Sequence, residues 1–268
     1  MLAVCATPIG NLEDVTLRVL DELRGADVVL CEDTRHTRVL LQRHGIEAKL
    51  QSYHEHNEAQ RVAEVVPRLL AGERIALVSD SGLPGISDPG ARLIAAALEA
   101  GVRVTVLPGA SAVETALVAS GLVGDRYQFI GFLPRGAAQL DAVWEELAAW
   151  PFPVVAFESP QRLPKTLASL SRALPDRPAA VCRELTKRFE EVVGGTAAEL
   201  AARFTEPPKG EIVLVLGAAD VVRADDAPLK AVAELVAAGL PRRRAADVVS
   251  RLTGVARNRL YRGSLPRD

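Results

Sequence analysis

Three segments of this chain combine glycine, proline and small hydroxyl residues: Thr7-Pro8-Ile9-Gly10-Asn11, Ser79-Asp80-Ser81-Gly82-Leu83-Pro84-Gly85-Ile86-Ser87-Asp88-Pro89-Gly90 and Pro108-Gly109-Ala110-Ser111-Ala112. Glycine lets backbone approach a ligand closely and adopt positive φ, and proline stiffens the loop, so such segments suit recognition by fixed amides and carbonyls. Asp80 follows an apolar run and precedes Ser-Gly, which puts a carboxylate where a strand end meets a ligand. Asp88 has two readings, as part of that loop and as a helix N-cap with Pro89 at the first helical position. The chain has no G-x-G-x-x-G after its first strand and no G-x-x-x-x-G-K-[ST] motif, which removes support for NAD-type Rossmann and P-loop chemistry. His54 and His56 have no third ligand at plausible spacing, so a polar rim loop explains them better than a metal site. Cys5, Cys31 and Cys182 lie far apart in apolar surroundings and read as buried thiols, not as a disulfide framework or a C-x-x-C centre.

The elements that must position these loops follow from hydrophobic patterning. Short apolar runs at 2–7, 28–32, 75–79 and 102–107 alternate with amphipathic segments, the signature of a parallel-rich α/β sheet. In such sheets ligands bind beyond the carboxyl ends of the strands, where all three loops fall. A second series, at 129–133, 154–158, 179–185, 191–194 and 211–217, is more closely spaced and predicts a mixed or antiparallel sheet. Gly121 and Gly124 mark a boundary near 120–125, giving domains at 1–120 and 121–220 with a small helical basic tail at 221–268. In that tail Pro228 and Pro241 begin helical patterns and Gly254 punctuates a third. Ala245, Val248, Val249 and Leu252 make an apolar face there, opposite Arg243, Arg244 and Arg251. Residues 241–268 hold eight Arg against two Asp in a chain whose net charge is −2. The basic tail is either a solvated helical face or an electrostatic handle for nucleic acid. With 49% apolar and 25% charged residues the chain is a folded protein. It opens without a basic leader and has no uninterrupted apolar span of membrane length, so a cytoplasmic location is expected.

Eight motifs occur in order: TPIGNLED at 7–14, CEDTRHT at 31–37, VSDSGLPGISDPG at 78–90, LPGASA at 107–112, GFLPR at 131–135, FESPQRL at 157–163, CRELTKRFEE at 182–191 and KGEIVLVL at 209–216. Over roughly residues 1–217 the chain resembles the ribosomal RNA small-subunit methyltransferase I family of the tetrapyrrole methylase superfamily. That resemblance implies a two-domain α/β fold and a cleft for S-adenosylmethionine between the domains. It also implies a homodimer, and 2′-O-methylation of a cytidine ribose in 16S rRNA of the small ribosomal subunit.

By the same resemblance Pro8, Gly10, Asp80, Ser81, Gly82, Asp88, Ser111 and Ala112 line the cofactor site, and Leu185 and Gly210 close over the adenine. Methyl transfer needs no metal, and its main requirement is alignment of the attacking oxygen with the methyl carbon. A ribose hydroxyl is a weak acid, so Glu158, Glu184 and Lys187 are candidates to accept its proton. Glu184 and Lys187 also read as a structural ion pair. Arg35 and His36 are candidates to meet RNA phosphate, against a reading in which Glu32 or Asp33 caps and pairs at a helix start. The chain departs from many relatives in carrying Gln161 where they have histidine, which puts an imidazole base there in doubt. With few aromatic residues, RNA would be held by shape and phosphate contacts. Two rivals remain at this stage: methylation of a tetrapyrrole or other small substrate on the same scaffold, and a non-catalytic RNA-binding protein that responds to the cofactor.

Overall fold

The computed structural model describes residues 1–219 and 227–264, without the side chains of Arg259 and Arg262. Two five-stranded sheets organise the first 217 residues. β1 (Leu2–Cys5), β2 (Val28–Cys31), β3 (Leu50–Ser52), β4 (Ile75–Val78) and β5 (Val104–Leu107) form a wholly parallel sheet in the order β3-β2-β4-β1-β5. Parallel strands need crossover helices, which cover both faces. The two-residue alternation of each strand feeds two separate cores. Leu2, Val4, Val28, Leu30, Ile75 and Leu77 meet α3 (Glu58–Leu70) and α4 (Ala91–Glu99). Ala3, Cys5, Val29, Cys31, Ala76 and Val78 meet α1 (Leu17–Gly25) and α2 (Thr34–Arg43). The three central strands β1, β2 and β4 are buried on both sides, hence their near-continuous apolar character, whereas β5 at the edge is only partly buried. β3, an edge strand of three residues, was not legible in the sequence.

The second sheet comprises β6 (Gln128–Phe132), β7 (Val154–Glu158), β8 (Pro178–Arg183), β9 (Glu191–Thr196) and β10 (Ile212–Leu216), in the order β6-β7-β10-β8-β9. Only the β6–β7 pair is parallel, so the sheet is mixed, as the close spacing of its strands suggests. One face packs against Val113, Ala116 and Leu117 of α5 (Ala112–Ala119) and against Ile9, so the segments that end the first sheet seal the second. Met1–Ala148 and Phe152–Gly217 accordingly make one compact unit.

A second unit joins 149–151 to the described residues after Gly217. Its helices have their own core of Val232, Ala245, Ala246, Val249 and Leu260. The tail helix Arg242–Thr253 follows Pro241 and ends at Gly254 in the left-handed conformation, as the sequence indicates. Its apolar face is set differently: Ala246 is buried, whereas Leu252 is 80% exposed. Arg243, Arg244 and Arg251 are exposed. Among the described residues no helix is long and apolar enough to cross a membrane. All three cysteines are buried and free.

Candidate active site

The strand-end loops converge on a cleft of about 1020 Å³, at the upper end of the range for small-molecule sites. Its wall on the parallel-sheet side is fixed by hydrogen bonds. Thr7 N–H donates to Gly82 O at 2.8 Å and Gly82 N–H returns a bond to Thr7 O at 3.1 Å. The Thr7 hydroxyl donates to Ser79 O and the Ser79 hydroxyl to Gly82 O, at 3.0 and 3.1 Å. The loop after β4 is therefore tied to the loop after β1, and Gly82, at φ 78°, makes the turn. Gly109 lies where an added Cβ would come within 2.9 Å of Ala6 Cβ, so the loop after β5 packs on the same strand end. Ser111 precedes α5 but gives it no side-chain cap, leaving first-turn amides on the cleft wall.

Carboxylates set the electrostatics of this wall. Asp80 accepts from Asp33 N–H at 3.1 Å, which orients it, and lines the cleft beside Glu32 and Asp88. Burial, reinforced by Asp80, pushes the Glu32 carboxyl up, while His54 and Asp33 exert smaller opposed effects. Burial and the Glu32 charge raise Asp88 to about 6, with nearby Ser79 working the other way. The expected capping role of Asp88 is not what the fold uses. α4 starts only at Ala91, after Gly90 at φ 141°, and Gly90 N–H is met by Glu58 Oε1 at 3.0 Å. A carboxylate from α3 does the work assigned to Asp88, which is left facing the cleft.

On the opposite wall stand Phe132, the segment Phe157–Pro160 and Gly210–Val213. Of the residues expected around the cofactor, Asp80, Ser81, Gly82, Asp88, Ser111, Ala112 and Gly210 line the cleft. Pro8, Gly10 and Leu185 lie outside that lining. Pro8 is buried next to His36 and Asp80 in a small recess, and Leu185 packs with Ile9 in the core. A Cβ on Gly10 would come within 2.5 Å of Lys187 Cγ and 2.8 Å of Leu185 O. Its smallness thus serves close approach of two loops. Asn11 N–H donates to Thr186 Oγ1 at 3.0 Å in the same contact.

The three residues expected to take a proton are engaged elsewhere. The Glu158 side chain is wholly buried, accepts from Ser159 N–H at 2.6 Å and pairs with Arg162 at 2.8 Å; the Thr166 hydroxyl also reaches it. Glu184 accepts from Glu211 N–H and from Lys187 Nζ, both at 3.0 Å; the backbone bond and then the Lys187 bond hold its pKa down. Burial works against charge on Lys187, but bonds to Glu211 and Glu184 outweigh it and raise its pKa, so Lys187 keeps its proton. Neither Glu184 nor Lys187 belongs to the cleft lining. Asp33 caps α2 by accepting from Arg35 N–H, and Arg35 side-chain bonds hold its carboxyl well below the usual range. Arg35 and His36 are both exposed on the first turn of α2. His54 and His56 stack edge to face at 6.0 Å, and no group of three or more candidate metal ligands exists among the described residues.

Sequence reasoning missed Glu32, Phe132, Phe157 and Glu211 as cleft residues. Glu32 carried a usable signal, since it ends the β2 run as Asp80 ends that of β4.

This arrangement of a parallel sheet, a mixed sheet and a cleft walled by strand-end loops is that of the tetrapyrrole (corrin/porphyrin) methylases, whose family profile matches residues 1–201. The same fold occurs in uroporphyrin-III C-methyltransferase from Thermus thermophilus complexed with S-adenyl homocysteine. The TM-score is 0.59 at 19% identity, covering 83% of this chain and 98% of that one. Ribosomal RNA small subunit methyltransferase I of Mesorhizobium japonicum is 44% identical over 97% of this chain and 90% of its own length. That of Halalkalibacterium halodurans is 41% identical over 97% and 93%. The chain belongs to the ribosomal RNA small subunit methyltransferase I family.

Proposed function

We propose that this protein binds S-adenosylmethionine in the cleft and methylates the 2′-oxygen of a cytidine ribose in 16S rRNA of the small ribosomal subunit. The near full-length identity to curated rRNA methyltransferases carries the reading. The cleft supports it, because Glu32, Asp80 and Asp88 put negative charge on a wall that would face a cationic donor. When bound, the donor supplies an electrophilic methyl group on a sulfonium. Asp80, Ser81 and Gly82 with Ser111 and Ala112 form one side of its site, Gly210 the other, and Asp88 belongs to the acidic wall. Pro8, Gly10 and Leu185 hold the loops in place from behind. Glu158 positions the Ser159–Arg162 turn at the cleft, while Glu184 and Lys187 clamp the second-sheet loops.

Arg35 and His36, exposed beside the loop that carries Glu32, are the proposed phosphate contacts. The regions 1–120 and 121–220 serve as the two cofactor-binding domains, with the basic tail of 221–268, helical within the described residues 227–264, as an appendage. The reading includes a homodimer, for which exposed Val106, Val118 and Phe132 offer apolar surface, and a cytoplasmic location. To test the function, the protein is incubated with tritiated S-adenosylmethionine and small ribosomal subunits from cells lacking this gene. Label is expected on one cytidine 2′-oxygen; label on a base or on no RNA would reject the reading.

A further inference from the structure

Two groups near the cleft are each left half-satisfied. Glu32 lines the cleft, and no hydrogen bond reaches its carboxylate among the described residues. His54, in the loop after β3, has a buried Nδ1 with no hydrogen-bond partner. Its tautomer follows from Asn57. Asn57 Oδ1 accepts from His54 N–H at 2.9 Å, so the amide nitrogen faces the other way, donating to Ser52 O at 3.3 Å and reaching His54 Nε2 at 3.1 Å. Nε2 must then accept, which leaves the proton on Nδ1. A buried N–H without an acceptor costs free energy unless a partner arrives. The loop carrying His54 leaves β3 beside the end of β2, where Tyr53 N–H donates to Cys31 O at 2.8 Å, and the carboxylate without a donor on that neighbouring strand end is Glu32. By contrast Asp80 is already oriented by Asp33 N–H at 3.1 Å.

We propose that Glu32 is the catalytic base of the methyl transfer, and that His54 is a positioning residue whose unpartnered Nδ1–H, fixed by Asn57, is placed on the neighbouring strand end to steady that carboxylate. The inference rests on the proposed reaction. The ribose O–H proton passes to a Glu32 carboxylate oxygen, the oxygen's electron pair forms the new O–CH₃ bond, and the pair of the broken S–CH₃ bond stays on sulfur. An unpaired carboxylate in a partly desolvated wall is suited to accept a proton, because water does not compete for its lone pairs. Four groups face it: Asp80 and Asp88 from the loop after β4, Asp33 from its own loop and His54 from the loop after β3. Asp80 and Asp33 favour its protonated form and His54 opposes them.

The test compares wild type, Glu32→Gln, His54→Ala and His54→Asn on small ribosomal subunits under single-turnover conditions. S-adenosylhomocysteine affinity serves as the check of folding. Glu32→Gln is expected to slow methyl transfer by about 10²- to 10⁴-fold, the usual worth of a positioned base. Its affinity for the neutral product should hold within about threefold. In the free protein, carbon-13 NMR titration of Glu32 should move to higher pH in His54→Ala and return toward wild type in His54→Asn, whose amide can replace the Nδ1 donor. The acid limb of the rate profile should follow. A Glu32→Gln rate within about twofold of wild type would overturn the assignment of the base. An unmoved Glu32 titration in His54→Ala would overturn the role of His54. Absence of methylation by the wild type itself would remove the reaction on which both depend.

Discussion

The cleft-lining carboxylates of the parallel sheet and the strand-end carboxylates of the second sheet live under opposite rules. On the second sheet Glu158, Glu184, Glu191 and Glu211 all have cationic partners: Arg162, Lys187, Arg183 with Arg203, and Lys187 again. On the parallel sheet Glu32 and Asp88 have no Lys or Arg partner among the described residues, and burial raises both, reinforced by Asp80 at Glu32 and by Glu32 at Asp88. A paired carboxylate holds loops together; one kept apart from cations and partly desolvated stores unfavourable energy that a cationic ligand can relieve. Position after a strand therefore tells where a carboxylate lies, and its partners tell whether it is free to act.

Removing partners from the second-sheet set should damage the fold most. Glu158→Ala leaves Arg162 facing an emptied buried site and should cost about 3 to 5 kcal/mol in urea unfolding. A loss below about 1 kcal/mol would show that the pair is not the anchor described here. Gly210→Ala puts a methyl into the Glu184 side chain at a backbone φ of 99°. It should cost about 1 to 3 kcal/mol and perturb the cleft wall as well.

The acidic wall should respond in the other direction. Folding raises Asp88 above its ordinary value of 3.8 to about 6. The folded state thus holds that proton more tightly than the unfolded chain, and the charged form above pH 6 is a burden on stability. Asp88→Asn should raise Tm by a few degrees at neutral pH. The gain should fade as pH falls through 6 toward the ordinary carboxylate value, while S-adenosylmethionine affinity drops. Thermal scans across that range together with calorimetric titration check both signs. The smallest effect belongs to Arg35→Ala. It should leave Tm unchanged and weaken RNA binding modestly, with the difference shrinking in high salt because phosphate contacts are screened.

Much of this architecture is legible in the sequence, for local reasons. Runs such as Val28–Cys31 and Ile75–Val78 are apolar throughout because both their faces are buried, and the Gly-Pro loops fall at the strand ends that line the cleft. What escapes sequence reading is set by partners distant along the chain. Glu58 takes over the cap expected of Asp88, reaching Gly90 N–H from 32 residues away. Gly10 is small because of Lys187, and the free state of Glu32 depends on His54 and Asp80. Glu158, Glu184 and Lys187 looked reactive because their neutralising partners could not be assigned from spacing alone.

The most direct test of this account is a crystal structure with S-adenosylhomocysteine and a measurement of where its sulfur lies. Sulfur is expected in the cleft, facing the Glu32–Asp88 wall, with the second-sheet ion pairs intact. Sulfur directed at Glu158 or Glu184, with Arg162 or Lys187 displaced from its carboxylate, would contradict it.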